Sequence, residues 1–342
     1  MSIWQKNSRA DKRALIQRTE EMEHIHPIAV EKDWWVTAIL KALFQTSCSE
    51  HLIFKGGTSL SKGWTLIERF SEDIDLAIDH RFFGIEKTTK CQREKLRKKS
   101  REYIMDTLAL ELDSRLRQMG ITDFSIEKVE TVLTKDGAKP VDSDKDPTVL
   151  LVHFDSILED AVEYIPPQVK IEISCLSMNE PTEIKHITSL ICKHYPGEDD
   201  ETICDIRTVV PTRTFLEKAF LLNEEFQKEH PRSRRMSRHL YDLEKLMDTP
   251  FGRQGLQDGE LYAAIVKHRS QYYALKYVDY QKHHPSVIRI VPPEEVLDEW
   301  EADYQQMCNS FIYGNKLPFD DLINRIAELQ ERFREVKTVL DL

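Results

Sequence analysis

The stretch Ser71-Glu72-Asp73-Ile74-Asp75-Leu76-Ala77-Ile78 sets two aspartates two residues apart at the head of an alternating run. A period of two sends Ile74, Leu76 and Ile78 to one face of a strand and Asp73 and Asp75 to the other. Two carboxylates held side by side raise each other's pKa, and a cation relieves that cost. Mg2+ takes carboxylate oxygens together with substrate phosphates, so the pair is suited to that ion. Upstream, Gly56-Gly57-Thr58-Ser59 follows a short strand and precedes a helix that carries Leu60 and Trp64. Glycines let backbone N–H groups approach a phosphate, and Lys62 adds a cation nearby. The spacing is not that of a Walker A loop. Glu172, in the alternating Gln168–Ile173 segment, is a third candidate carboxylate. Taken singly, these features also describe a plain strand–helix corner and solvated strand faces.

Two basic runs could serve a polyanion. Arg93, Lys95, Arg97, Lys98, Lys99 and Arg101 form one, and Arg232, Arg234, Arg235 and Arg238 the other. Phosphate contacts need such local clusters. Tyr272, Tyr273, Tyr277 and Tyr280 are at near-helical spacing, which predicts core packing rather than base stacking.

These groups must be positioned by elements. Residues 8–22 and 28–46 read as helices, His51–Phe54 as a strand, and 88–119 as helical. Residues 124–133 and 148–155 are expected to pair antiparallel across the polar loop between them. After Pro211 the pattern turns helical over 213–229, 234–248, 258–280, 294–310 and 319–340. In the last segment Ile326, Leu329, Phe333, Val336 and Leu340 repeat at a spacing that predicts packing within a helical bundle. The organisation is α+β, with an N-terminal domain over 1–210 and a helical C-terminal domain over 211–342.

Composition narrows the classes. The chain has 342 residues, 40% hydrophobic and 31% charged, enough to bury a core. Its net charge of −11 excludes a chain-wide basic footprint for nucleic acid, though not a local one. No apolar run reaches the ~18 residues of a membrane span. The start lacks the apolar segment of a secretory signal. Six cysteines with no CxxC pair predict neither disulfides nor zinc and fit a reducing cytoplasm.

The order strand, Gly-Gly-[TS], helix, Asp-h-Asp strand and later strand carboxylate resembles the polymerase-beta-like nucleotidyltransferase superfamily. There, aspartates hold two metals that activate a hydroxyl and stabilise the leaving pyrophosphate. Six blocks sharpen the resemblance: Glu31–Val36, Phe54–Leu60, Arg69–Leu76, Val169–Ser174, Thr214–Ala219 and Ser237–Leu243. Together they look like the AbiEii/AbiGii toxin family, which includes the mycobacterial MenT toxins. The family's characteristic lysine and aspartate fall on Lys218 and Asp242, and His239 stands where many relatives carry Asp. Arg238 and Asp242 share a helix face.

The resemblance implies a polymerase-beta-like core and a Mg2+-dependent transfer of nucleotides from an NTP. In that reading Asp73 and Asp75 bind the metal, and Glu172, Lys218 and Asp242 join them in catalysis. Gly57, Thr58, Ser59, Lys62 and Arg238 bind the nucleotide. It also implies a cognate antitoxin and an RNA acceptor, tRNA in some relatives, whose modification blocks translation. The alternatives are a nucleotidyltransferase acting on a protein or small molecule, and a catalytically silent binding protein.

Overall fold

The structure, a computed structural model, describes residues 3–85, 89–134, 137–158, 166–200 and 202–340. The chain divides into two compact units. One holds the residues up to Gly63 together with Ser71–Thr208, and the other holds Trp64–Phe70 together with the residues from Val209 onward.

The first unit is built on a seven-stranded mixed sheet. The strands are β1 (Leu52–Lys55), β2 (Ile74–Ile78), β3 (Phe124–Lys128), β4 (Thr131–Thr134), β5 (Gly137–Pro140), β6 (Thr148–Phe154), β7 (Gln168–Ser174), β8 (Thr182–Ile187) and β9 (Cys204–Val209). Their order in the large sheet is β3-β6-β7-β2-β1-β9-β8, with β4 and β5 forming a separate hairpin. The expected α+β class is the one observed. The expected pairing of 124–133 with 148–155 holds for β3 against β6. It stops at Lys128, because residues 131–140 fold back on themselves as the hairpin. Strands β8 and β9 were not expected from the sequence. Their polar, weakly alternating residues carry little periodic signal.

One face of the sheet is apolar. Phe54, Leu76 and Ile173 lie in register across β1, β2 and β7, and all three are fully buried. The helix Pro27–Leu43 covers this face. Proline opens it at its first turn, where the missing N–H costs nothing. Trp35 stacks on Phe154 of β6 with ring centroids 4.8 Å apart, and Trp34 stacks on Trp4 at 5.2 Å. Because the helix is buried nearly all round, its sequence shows no polar stripe. The helical stretch expected over 88–119 is continuous through Lys90–Tyr103, one π-type turn at Ile104–Leu108, and Ala109–Gln118.

The second unit is helical, with Pro211–Glu225, Ser237–Met247, Pro250–Gln257, Gly259–His268, Leu297–Ser310 and Phe319–Arg334 as its main elements. Ile326, Leu329 and Phe333 are fully buried, as bundle packing requires. The helix expected over 258–280 is shorter. It ends at His268 and unwinds through a π-type turn at Arg269–Tyr273, with Ala274 in the left-handed region. The tyrosines beyond it therefore do not form a core stripe. Tyr277 is 46% exposed, with the Lys228 ammonium 5.3 Å from its ring centre.

The segment Trp64–Phe70 joins this unit by backbone pairing. Phe70 N donates to Phe311 O at 2.7 Å, and Tyr313 N donates to Glu68 O at 3.1 Å.

A charge network lies inside the helical unit. Glu224 accepts from Arg269 Nε at 2.7 Å and from Arg269 Nη2 at 2.5 Å, with His283 Nε2 3.3 Å away. Burial pushes the Glu224 carboxyl up, but Arg269 and His283 reverse this and bring it to about 2, against an ordinary 4.5. A lowered folded-state pKa gives stability that is present above the ordinary value and lost as pH falls toward the folded one. We expect Glu224→Gln to cost about 3 kcal/mol at neutral pH. Urea unfolding across pH 7 to 2.5 checks this: the wild type should lose stability steeply below pH ~5, and the variant less so.

Candidate active site

The carboxylate pair sits where the alternation places it. Asp75 on β2 pairs in register with Lys55 on β1 and with Glu172 on β7. Lys55, Asp75 and Glu172 therefore form one row across the sheet face opposite the helix Pro27–Leu43. Asp73 lies just before β2.

The glycine turn closes on this row. Gly56 has φ +80°, a conformation that favours glycine. A Cβ built there would fall 2.1 Å from Asp75 Oδ2, so the absent side chain is what lets the carboxylate reach the turn. The chain then runs through Gly56–Thr58 into a single π-type turn, Ser59–Gly63. Such turns concentrate at functional sites.

Thr58 is fully buried and ties the turn to the carboxylate segment. Its Oγ1 lies 2.5 Å from Asp73 O and 2.9 Å from Ser71 Oγ. Ser59 Oγ donates to Gly56 O at 2.8 Å. The Ser59 hydroxyl thus serves the turn itself, and the Thr58 hydroxyl joins it to Ser71 and Asp73. Lys62 bonds the Asp33 carboxylate and, at 3.3 Å, Thr188 O.

Glu172 takes an ion pair from Lys170 on its own strand at 2.5 Å. Burial raises its carboxyl, but the hydrogen bond and charge of Lys170, with the charge of Lys55, leave it net below the usual range. Glu172 is therefore ionised at neutral pH.

Among the described residues, no group of three or more His, Cys, Asp and Glu is gathered to hold a metal ion. The residues present nevertheless fit Mg2+. That ion is commonly held by one or two carboxylates plus water and substrate phosphates rather than by a full protein cage. The glycine cradle under Asp75 leaves its carboxylate room beside the Gly56–Gly63 turn.

Lys218 and Asp242 meet in the helical unit, together with Arg69, a residue for which sequence reasoning gave no role. Asp242 is fully buried. Arg69 grips it bidentately, Nε to Oδ1 at 2.7 Å and Nη2 to Oδ2 at 2.8 Å, and Lys218 Nζ lies 2.8 Å from Oδ2. Burial pushes the Asp242 carboxyl up, but Arg69 and Lys218 hold it well below the usual carboxylate range. Burial lowers Lys218, and the charges of Arg69 and Arg238 add to this. His239 is 8% exposed, and its Nδ1 has no hydrogen-bond partner among the described residues. Burial, reinforced by Lys218 and Arg238, keeps its ring neutral. The bidentate partner of Asp242 is Arg69, which arrives from a distant part of the chain, and not a residue of its own helix face. The only sequence signal for Arg69 was its place beside Phe70 and Ser71 in one matching block.

Comparisons with known proteins bear on the family and the fold. The family model for the nucleotidyl transferase AbiEii toxin of type IV toxin–antitoxin systems matches residues 38–325. The chain is thus a member of the AbiEii nucleotidyltransferase toxin family. Among solved structures it is similar to MenT4, a nucleotidyltransferase toxin of Mycobacterium tuberculosis H37Rv. The identity is 17% and the TM-score 0.53, over 95% of this chain and 90% of that one, so the likeness is one of fold. No curated protein matches the chain. No helix among the described residues is long and apolar enough to cross a membrane.

Two outcomes test the local physics. Gly56→Ala must strain the backbone and displace the Asp75 carboxylate, for an expected loss of about 1–3 kcal/mol. Thermal unfolding and chemical-shift changes confined to the Gly56 and Asp75 surroundings check it. Asp242→Asn leaves Arg69 and Lys218 as neighbouring like charges in a buried place, for an expected loss of about 3–5 kcal/mol by urea unfolding.

Proposed function

We propose that this family member is a Mg2+-dependent nucleotidyltransferase that moves nucleotides from an NTP onto the 3′ end of tRNA, blocking translation. The observation that carries this reading is the Asp75 carboxylate seated against Gly56, with Asp73 held to the same turn by Thr58. In this reading residues 1–210 form the nucleotidyltransferase domain and 211–342 the helical domain.

Asp73 and Asp75 would hold the divalent ion. When bound, such an ion neutralises the two carboxylates and polarises a phosphoryl oxygen. Gly57 and Thr58 would offer backbone N–H groups to the phosphates, while Ser59, whose N–H and hydroxyl both bond Gly56 O, shapes the turn around them. Glu172, ionised beside Asp75, is the third carboxylate and the group that accepts the acceptor hydroxyl's proton. Lys62, bonded to Asp33, stiffens the turn. Lys218 and Arg238 act on the triphosphate, and Asp242 orients Lys218. Family membership brings an antitoxin as a partner.

RNA docking is assigned to local cations in a chain of net charge −11. Arg232 is held by Glu225 through its Nη2 at 2.8 Å, and Arg234 and Arg235 are exposed in the same run. Lys95, Lys98 and Lys99 are exposed on Lys90–Tyr103, whereas Arg97 is bound to Asp144.

The test supplies each labelled NTP in turn, with Mg2+ and total cellular RNA and protein. We expect label at the 3′ end of tRNA, with transfer that weakens steeply as salt rises. In Asp75→Asn we expect turnover at least ~1,000-fold lower with the melting temperature retained. Label confined to protein or a small metabolite would reassign the acceptor. Near wild-type turnover in folded Asp75→Asn would remove the metal assignment.

A further inference from the structure

The helix Pro27–Leu43 carries three consecutive charged residues, Glu31, Lys32 and Asp33, which are only 3%, 2% and 8% exposed. Burying a charge is costly unless it is paired, and here three neighbours are buried together. Each of them is partnered, and the partners lie in different segments.

Glu31 accepts from Ser156 Oγ at 2.7 Å and Ile157 N at 2.6 Å. Lys32 Nζ lies 2.6 Å from Glu72 Oε2 and 3.3 Å from Pro166 O. Asp33 bonds Lys62 through Oδ1 and accepts from Leu190 N through Oδ2 at 2.8 Å. Glu72 immediately precedes Asp73. Lys62 closes the turn that begins at Gly56. Both ends of the carboxylate–glycine arrangement are therefore held by adjacent residues of one helix, from the apolar side of the sheet.

Fold stability alone does not account for this choice. Apolar residues of similar volume at 32 and 72 would be at least as stable as a buried ion pair. What the charged pairs add is direction. A hydrogen-bonded ion pair fixes the angle at which a segment arrives, which an apolar contact does not.

We propose that Lys32 and Asp33 are positioning residues of the carboxylate site: Lys32 sets Asp73 through Glu72, and Asp33 sets the Gly56–Gly63 turn through Lys62. The inference rests on the reading of Asp73 and Asp75 as a metal-binding pair. Thr58, which joins turn and carboxylate segment directly, then needs only to hold a register that the helix has already imposed.

The experiment uses the full chain and Mn2+ as the probe of the carboxylate pair. Wild type, Asp75→Asn, Lys32→Met and the double variant Lys32→Met/Glu72→Met are compared. Three quantities are read: the Mn2+ concentration at half-saturation, the melting temperature, and hydrogen exchange of the amides of residues 71–75 in metal-free protein.

We expect Lys32→Met to raise the half-saturating Mn2+ concentration about tenfold and to speed exchange at 71–75. The double variant removes the carboxylate that Lys32 no longer neutralises and should recover melting temperature without recovering Mn2+ affinity. Asp75→Asn should not bind. Wild-type Mn2+ affinity and exchange in Lys32→Met would overturn the inference. So would a double variant that recovers affinity along with stability, since that pattern belongs to a merely structural pair. A wild type that takes up no Mn2+ at Asp73 and Asp75 would overturn the metal reading itself, whatever exchange at 71–75 shows, and the positioning role with it.

Discussion

A short strand with carboxylates on one face and fully buried aliphatics on the other is the constraint on which the first unit depends. In β2, Ile74, Leu76 and Ile78 must be covered, while Asp75 must not be. The helix Pro27–Leu43 satisfies the first requirement, and the glycine turn satisfies the second by leaving room where any other residue would put a Cβ. Register then decides the neighbours. A slip of one residue in β2 would turn Asp75 to the apolar face, so the apolar packing specifies the placement of the polar row.

Charge is managed differently in the two units. In the first, Asp75 and Glu172 stand in a row with Lys55 and Lys170 nearby, on the sheet face opposite the helix Pro27–Leu43. In the second, Asp242 and Glu224 are each closed off by an arginine fork, Arg69 and Arg269. Both forks are bidentate, the geometry that fixes orientation as well as charge. Such pairs hold elements in one arrangement and are a weak source of net stability.

Much of the first unit was legible in the sequence, because period two in β2 and β7 and the Gly-Gly turn are strong local signals. The strand face shared by Asp73 and Asp75, and that of Glu172, were read from alternation, while their role as site carboxylates came from the resemblance. Two things were not legible. Lys62 and Lys218 looked like cations awaiting a phosphate, yet each is bonded to a buried aspartate, Asp33 and Asp242, supplied by another element. Local sequence shows that a charge is present but not what it meets. The hairpin β4–β5 and the edge strand β8 were missed because exposed or edge segments need no periodic apolar face. The interior strand β9 was missed because its buried alternate positions are Ile206 and the polar Thr208, too few apolar residues for a periodic signal. Pro250–Gln257 was missed because its two buried glycines, Gly252 and Gly255, pack where a helix former would have been expected.

The excursion of Trp64–Phe70 bears on how the chain is made. Arg69 precedes its partner Asp242 by 173 residues, and Phe70 precedes Phe311 by a still longer stretch. During synthesis the first unit is interrupted by seven residues that belong elsewhere, and their partners have not yet left the ribosome. The helical unit cannot close until its last third, with Phe311, has been translated, and a chain that terminates before Asp242 carries the glycine turn and the aspartates with Arg69 still lacking its carboxylate. Completion of the message thereby becomes a condition for the finished molecule, imposed by connectivity alone.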